Sequence, residues 1–167
     1  MGTEGPHNLI EYFSGSKTYN AIQKTNVPVL LIPAGCMYRD IKDVTYAYDY
    51  LRERTLHMEQ LIPFIHSMDA KLTVLEVLEE AQSDRALEEL NDLQIILREK
   101  YPDVTFSFDT LRSSEVPQAI NSYVNQKQPD ALAVCSIHRS FIGALFHKSI
   151  LKTLSVISDV PILAFHK

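Results

Sequence analysis

From residue 43 to residue 166, strand-like and helix-like patterns alternate five times, and few folds accept such an order. Five apolar runs have the length and β-branched content of strands: Val44–Tyr48, Leu72–Leu78, Val104–Phe108, Ala131–Ile137 and Val160–Phe165. Between the first two, Leu51, Thr55, Met58, Ile62 and Ile65 step by 4, 3, 4 and 3, which sets them on one helical face. Pro63 argues for a kink near the end of that helix. Leu87, Leu90, Gln94 and Leu97 repeat the period, opened by Ser83-Asp84 and closed at Tyr101-Pro102. Ile120, Tyr123 and Val124 mark a third helix, and Ile150, Leu154 and Ile157 a fourth.

Strand–helix alternation of this kind predicts an α/β fold, a parallel sheet with helices on both faces. Val104, Phe106 and Phe108 alternate with Thr105 and Ser107, so this strand reads as a half-exposed edge. Residues 1–35 fit outside the alternating unit. They hold a glycine-rich turn, a short helix near Ser16–Thr25 and one further strand, Val27–Ile32. The strand predicts an extra edge, because an unpaired Val-Leu-Leu-Ile segment invites addition. Leu9, Ile10, Tyr12, Phe13 and Ile22 have no sheet of their own to cover, and burying each is worth ~1.5–3 kcal/mol. A two-fold partner covers such a surface reciprocally, so a homodimer is expected.

At a fixed offset of 133 residues the two ends of the chain correspond: Phe13 falls on Phe146, Ser16 on Ser149, Val27-Pro28 on Val160-Pro161 and Leu30 on Leu163. Residues 1–35 thus read as the tail of a truncated first copy, and residues 40–167 as a complete second one.

Composition narrows the function classes. There are 16 Lys and Arg against 21 Asp and Glu, a net charge of −5, so a broad nucleic-acid surface is not expected. Val27–Met37, the longest apolar stretch, carries two prolines and is too short to span a bilayer. The start, Met1-Gly2-Thr3-Glu4, lacks the features of a signal peptide, and two cysteines build neither a zinc finger nor a disulfide framework. The expected setting is the reducing cytoplasm, without membrane or nucleic-acid partners.

The chemistry-bearing motif lies near the start: Gly2-x-x-Gly5, nine residues, then Gly15-Ser16 opening a helix. Glycines let a backbone approach a phosphate, and helix-initial N–H groups favour the anion. Followed by a Pro-Val-Leu strand, this spacing resembles the ATP-binding signature of the universal stress protein family. The resemblance covers essentially the whole chain and looks like the C-terminal part of a tandem two-domain member. It implies a five-stranded parallel sheet of order 3-2-1-4-5, extended here by the N-terminal edge strand, with Val29–Ile32 antiparallel to the last strand, Ile162–Phe165, within one chain or between two. It also implies adenosine-nucleotide binding in some members. By position it assigns Met1, Gly2, Gly5, Gly15 and Ser16, with Lys17 and Thr18 beside them, to the phosphate and ribose loop. Asp49, at the end of the first strand, falls near the ribose or adenine, and the backbone at Val77 falls against the base.

The second copy departs from this pattern: Cys135, His138 and Lys148 stand where Gly2, Gly5 and Gly15 stand in the first. Side chains at those positions take up the room a triphosphate needs, so neither copy forms a whole nucleotide site. The expectation is a non-enzymatic stress-response binding module with no fixed cofactor and an unidentified protein partner. The alternative is an ATP- or AMP-binding member, its Gly2–Ser16 loop completed by another chain, with weak hydrolysis. Cys135 and His138 allow a thiolate–base pair, but a small core cysteine is the commoner use of that residue type. The basic cluster His138, Arg139, His147, Lys148 and Lys152 offers an anion site or a solvated turn. The acids Glu76, Glu79, Glu80, Asp84, Glu88, Glu89 and Asp92 read as a solvated helix face. Neither a His-x-Gly-His turn nor a Gly-x-Ser-x-Gly elbow is present.

Overall fold

The computed structural model describes residues 27–33, 36–37, 39–48, 58–78, 84–136 and 160–166, without the side chains of residues 84–86, 136 and 166. Six strands and three helices follow one another as β1 (Val29–Leu31), β2 (Asp43–Tyr48), α1 (Met58–Met68), β3 (Lys71–Leu78), α2 (Asp84–Lys100), β4 (Phe106–Arg112), α3 (Val116–Lys127), β5 (Ala131–Ser136) and β6 (Ile162–His166). The helix expected around Ile150 lies outside the described residues.

The strands form one sheet of order β1-β6-β5-β2-β3-β4. Without β1, the order from the β4 edge is the expected 3-2-1-4-5. The pairs β2–β3, β2–β5, β3–β4 and β5–β6 are all parallel. β1 joins β6 antiparallel within the same chain, with Val29 opposite Ala164, Leu30 opposite Leu163 and Leu31 opposite Ile162.

Side-chain alternation divides the core into two layers. On one face Val44, Tyr46, Leu72 and Val74 meet the apolar stripes of α1 (Met58, Leu61, Ile62, Ile65) and α2 (Leu90, Leu93, Leu97). On the other, Leu75, Leu132, Val134 and Ile162 meet Ile120, Tyr123 and Val124 of α3. Crossovers between parallel strands are right-handed, so reversing the direction of travel across the sheet reverses the covered face. The chain moves β2 to β3 to β4 in one direction and then returns past β2 to β5. That return is why α3 lies opposite α1 and α2.

One span differs from the sequence expectation. β4 begins at Phe106, because the Val104 N–H closes a turn onto Tyr101 O instead of joining a ladder. It runs on through Asp109, Thr110 and Arg112, since an edge strand can leave polar groups in water while Ser113 N–H still donates to Leu78 O. Helix α1 continues through Pro63, whose ring is exposed, and ends at Met68. Asp69 and Gln128, which follow α1 and α3, have φ of 49° and 52°, the left-handed region usual at helix ends.

The edge strand β4 is tied to α3 by a partly buried polar contact. The Tyr123 hydroxyl donates to Asp109 Oδ2 at 2.6 Å, and Lys127 Nζ stands 3.8 Å from the same oxygen. Burial, and next the bond to Asp109, push the Tyr123 phenol well above its ordinary pKa of 10.0. The neutral phenol is therefore favoured in the folded state. Its stabilisation is complete below pH 10.0 and is lost as pH rises toward the folded value. Urea unfolding of the parent and Tyr123→Phe, at neutral pH and above pH 10.0, is expected to show a smaller alkaline loss in the variant. Equal losses contradict the contact.

β1 supplies a second test. Leu31 is 3% exposed and its neighbour Ile32 is 37% exposed. Leu31→Ala is expected to cost about 2–4 kcal/mol in denaturant unfolding and Ile32→Ala less than about 1 kcal/mol. Equal costs would mean that β1 lies in another register.

Candidate functional site

In open parallel sheets a ligand crevice forms outside the carboxyl ends of the strands, where neighbouring connections leave in opposite directions. Here that point is between β2 and β5, because β2 has β3 on one flank and β5 on the other. The described carboxyl ends around it are Tyr48, Leu78 and Ser136.

Ladder geometry fixes which peptide groups face the crevice. Lys71 N–H donates to Lys42 O, while Leu72 N–H donates to Thr105 O and Leu78 O accepts from Ser113 N–H. Odd-numbered residues of β3 therefore bond toward β2 and even-numbered ones toward β4. The last register pair between β2 and β3 is Tyr48 with Glu76. Val77 is one residue further on, so its carbonyl points across the described end of β2, toward the switch point. Its side chain packs on the α3 face, and the residue is 9% exposed.

The opposite face carries a row of larger groups. Tyr48 and Thr110 flank Glu76 in register, and Cys135 pairs with Phe165. Tyr46 stacks at an angle on Tyr48 with ring centroids 6.2 Å apart, and meets Phe165 edge-on at 6.4 Å. Ala133, the register partner of Tyr46, is small enough to let that ring reach β6 across β5.

Glu76 corrects the reading of the acids. It belongs to β3 and is only 3% exposed, whereas Glu88, Glu89 and Asp92 are exposed on α2. A buried carboxylate is costly unless it is engaged, and Glu76 is engaged. Its sequence signal is the frame Thr73-Val74-Leu75-Glu76-Val77-Leu78, in which one acid interrupts a run that otherwise reads as buried.

Of the residues assigned by resemblance, Val77 is placed at the carboxyl edge. Met1, Gly2, Gly5, Gly15, Ser16 and Asp49 lie outside the described residues, as do Lys17, Thr18, His138, Lys148 and the rest of the basic cluster. Among the described residues no group of three His, Cys, Asp or Glu is arranged to hold a metal. No helix among them is long and apolar enough to cross a membrane.

Cys135 is buried beside Ala133 and Phe165, as a small core residue is, and Cys36 is partly exposed. A buried thiol in apolar surroundings is inert. In the native chain a thiol reagent is expected to label Cys36 readily and Cys135 only as the protein unfolds. Fast native labelling of Cys135, located by peptide mass, overturns this placement.

No model of a known protein family matches the chain, and no curated protein sequence matches it. Solved structures do. A universal stress protein from Archaeoglobus fulgidus DSM 4304 superposes with a TM-score of 0.73 at 14% identity, over 91% of this chain and 55% of that one. A putative universal stress protein from Pseudomonas aeruginosa UCBPP-PA14 gives 0.67 at 11% identity, over 99% of this chain and 62% of that one. A universal stress protein in complex with cAMP gives 0.61 at 12% identity, over 77% of this chain and 98% of that one. The chain thus spans little more than half the length of the two longer proteins. At these identities the likeness is one of fold. This chain has the fold of the universal stress proteins.

Proposed function

We propose that this chain is a universal stress protein, a cytoplasmic, non-enzymatic binding and interaction module that works as a homodimer. The observation that carries the reading is the sheet: the 3-2-1-4-5 parallel order with β1 added antiparallel to β6. The same order supports reading residues 1–35 as the tail of a first domain and residues 40–167 as a complete second one. In that arrangement the glycine loop Gly2–Ser16 belongs to one unit and the described switch point to the other.

A second reading, adenine-nucleotide binding, is favoured by the Val77 carbonyl at the crevice and by the structurally similar protein in complex with cAMP. Met1, Gly2, Gly5, Gly15, Ser16 and Asp49 are its proposed contacts, with ATP or AMP as ligand and the loop completed by another chain. We favour the first reading because neither unit holds a whole site: the Gly2–Ser16 loop lacks the first strands of its own copy, and in the second copy His138 and Lys148 replace glycines where a triphosphate needs bare backbone. Calorimetric titration of ATP into the intact chain and into His138→Gly/Lys148→Gly distinguishes the two. No micromolar binding by the parent, with binding gained in the double variant, is the expected result. Micromolar binding by the parent, mapped to Asp49 and Val77, overturns the first reading in favour of the second.

A further inference from the structure

A cavity of about 510 Å³ lies at the end of the sheet away from the switch point, beneath the amino ends of β2, β5 and β6. Its volume falls within the range of roughly 300–1,000 Å³ usual for small-molecule sites. Lys42, Asp130 and Pro161, which precede those three strands, form part of its wall, and Ser67 and Met68 of α1 form another.

The wall is chiefly apolar, and the apolar groups reach the surface. Six large hydrophobic side chains are exposed among the described residues, and three of them, Ile32, Met37 and Met68, line this one cavity. Met37 is 84% exposed. Clustering of this kind marks a binding surface, where scattered exposed residues do not.

The polar groups in the wall are nearly all committed. Asp130 Oδ2 accepts from the N–H groups of Lys42 and Asp43, both at 3.0 Å, and Oδ1 pairs with Arg39 Nε at 3.2 Å. Lys42 Nζ is bonded to Met68 O, Asp69 O and Asp69 Oδ2. The Ser67 hydroxyl donates to Phe64 O. Asp40, exposed at the rim, is also engaged. Among the described residues Arg39 is the exception. Its guanidinium has five donors, of which Nε serves Asp130 and one Nη2 hydrogen serves Pro129 O at 3.4 Å. The remaining donors are held on a half-exposed group whose orientation Asp130 fixes.

From this arrangement we propose that the cavity binds a small amphipathic anion, an aliphatic monocarboxylate. Its tail lies against Ile32, Ile41, Met37 and Met68, and its head pairs with the spare donors of Arg39. Thioether side chains adapt to an aliphatic chain of variable shape, and a planar guanidinium matches a carboxylate in two-point geometry. Arg39 and two backbone N–H groups offset part of the Asp130 charge, which weakens its repulsion of the head.

The test is titration of octanoate, octylammonium and 1-octanol into the full chain, followed by NMR of the Met37 and Met68 methyl groups. Octanoate is expected to shift both methyls saturably and to bind more tightly than either other probe. Arg39→Gln is expected to weaken octanoate roughly tenfold or more, with partial recovery in Arg39→Lys. Unmoved methyls, equal binding of octylammonium or 1-octanol, or unchanged affinity in Arg39→Gln each overturn the proposal. If Arg39→Gln does not fold, the comparison of the three probes on the parent chain decides.

Discussion

Parallel pairing of β2 along both of its flanks is the constraint on which the rest of this molecule depends. A parallel partner cannot be reached by a tight turn, so β3 and β5 must each be reached by a crossover. Right-handed crossovers leaving in opposite directions put α1 and α2 on one face and α3 on the other. Both faces of β2 are then covered, which is why Val44, Thr45 and Tyr46 are all buried. The same reversal opens the gap at the carboxyl ends and directs the Val77 carbonyl toward it. Fold and candidate site therefore share one cause.

β1 has a different role. A sheet ending at β6 would expose a strand of Ile162, Leu163, Ala164 and Phe165, all now buried. Antiparallel addition of β1 moves the edge outward onto a short strand, and places Leu31 in the layer that holds Ile162 and Val134. Edge strands are tolerated when short or polar. The opposite edge, β4, uses the second device, with Asp109, Thr110 and Arg112 along its length.

Much of this architecture was legible in the amino-acid pattern, for physical reasons that also explain the errors. β2, β3 and β5 are covered on both faces, so their apolar runs have sharp ends that match the strands closely. Val27–Ile32 was legible as an added edge because a neutral, β-branched and leucine-rich segment satisfies its backbone by joining a sheet, while its partner, the last strand, followed from the family resemblance. The boundaries of β4 were less legible: Val104 has the residue type of a strand but its N–H closes a turn, and polar residues at an edge carry the ladder on. Glu76 was misread because charge predicts solvent, whereas burial of a charge depends on tertiary partners that no local window contains. At the site, the place of Val77 at the carboxyl end of β3 was legible, since a peptide group's position needs only the right strand and register. The cavity around Arg39 left no sequence signal, because its walls come from segments far apart in the chain that meet only once the sheet has formed.

The order of strands around β2 and β6 underlies both the fold and the candidate site, and cross-strand nuclear Overhauser contacts in the intact chain test it directly. Contacts between Ala47 and Val134, between Tyr48 and Glu76, and between Leu30 and Leu163 are predicted together within one chain. Contacts from Leu30 to β4 in place of Leu163, or loss of the Ala47–Val134 contact, would contradict the sheet order and with it the switch point.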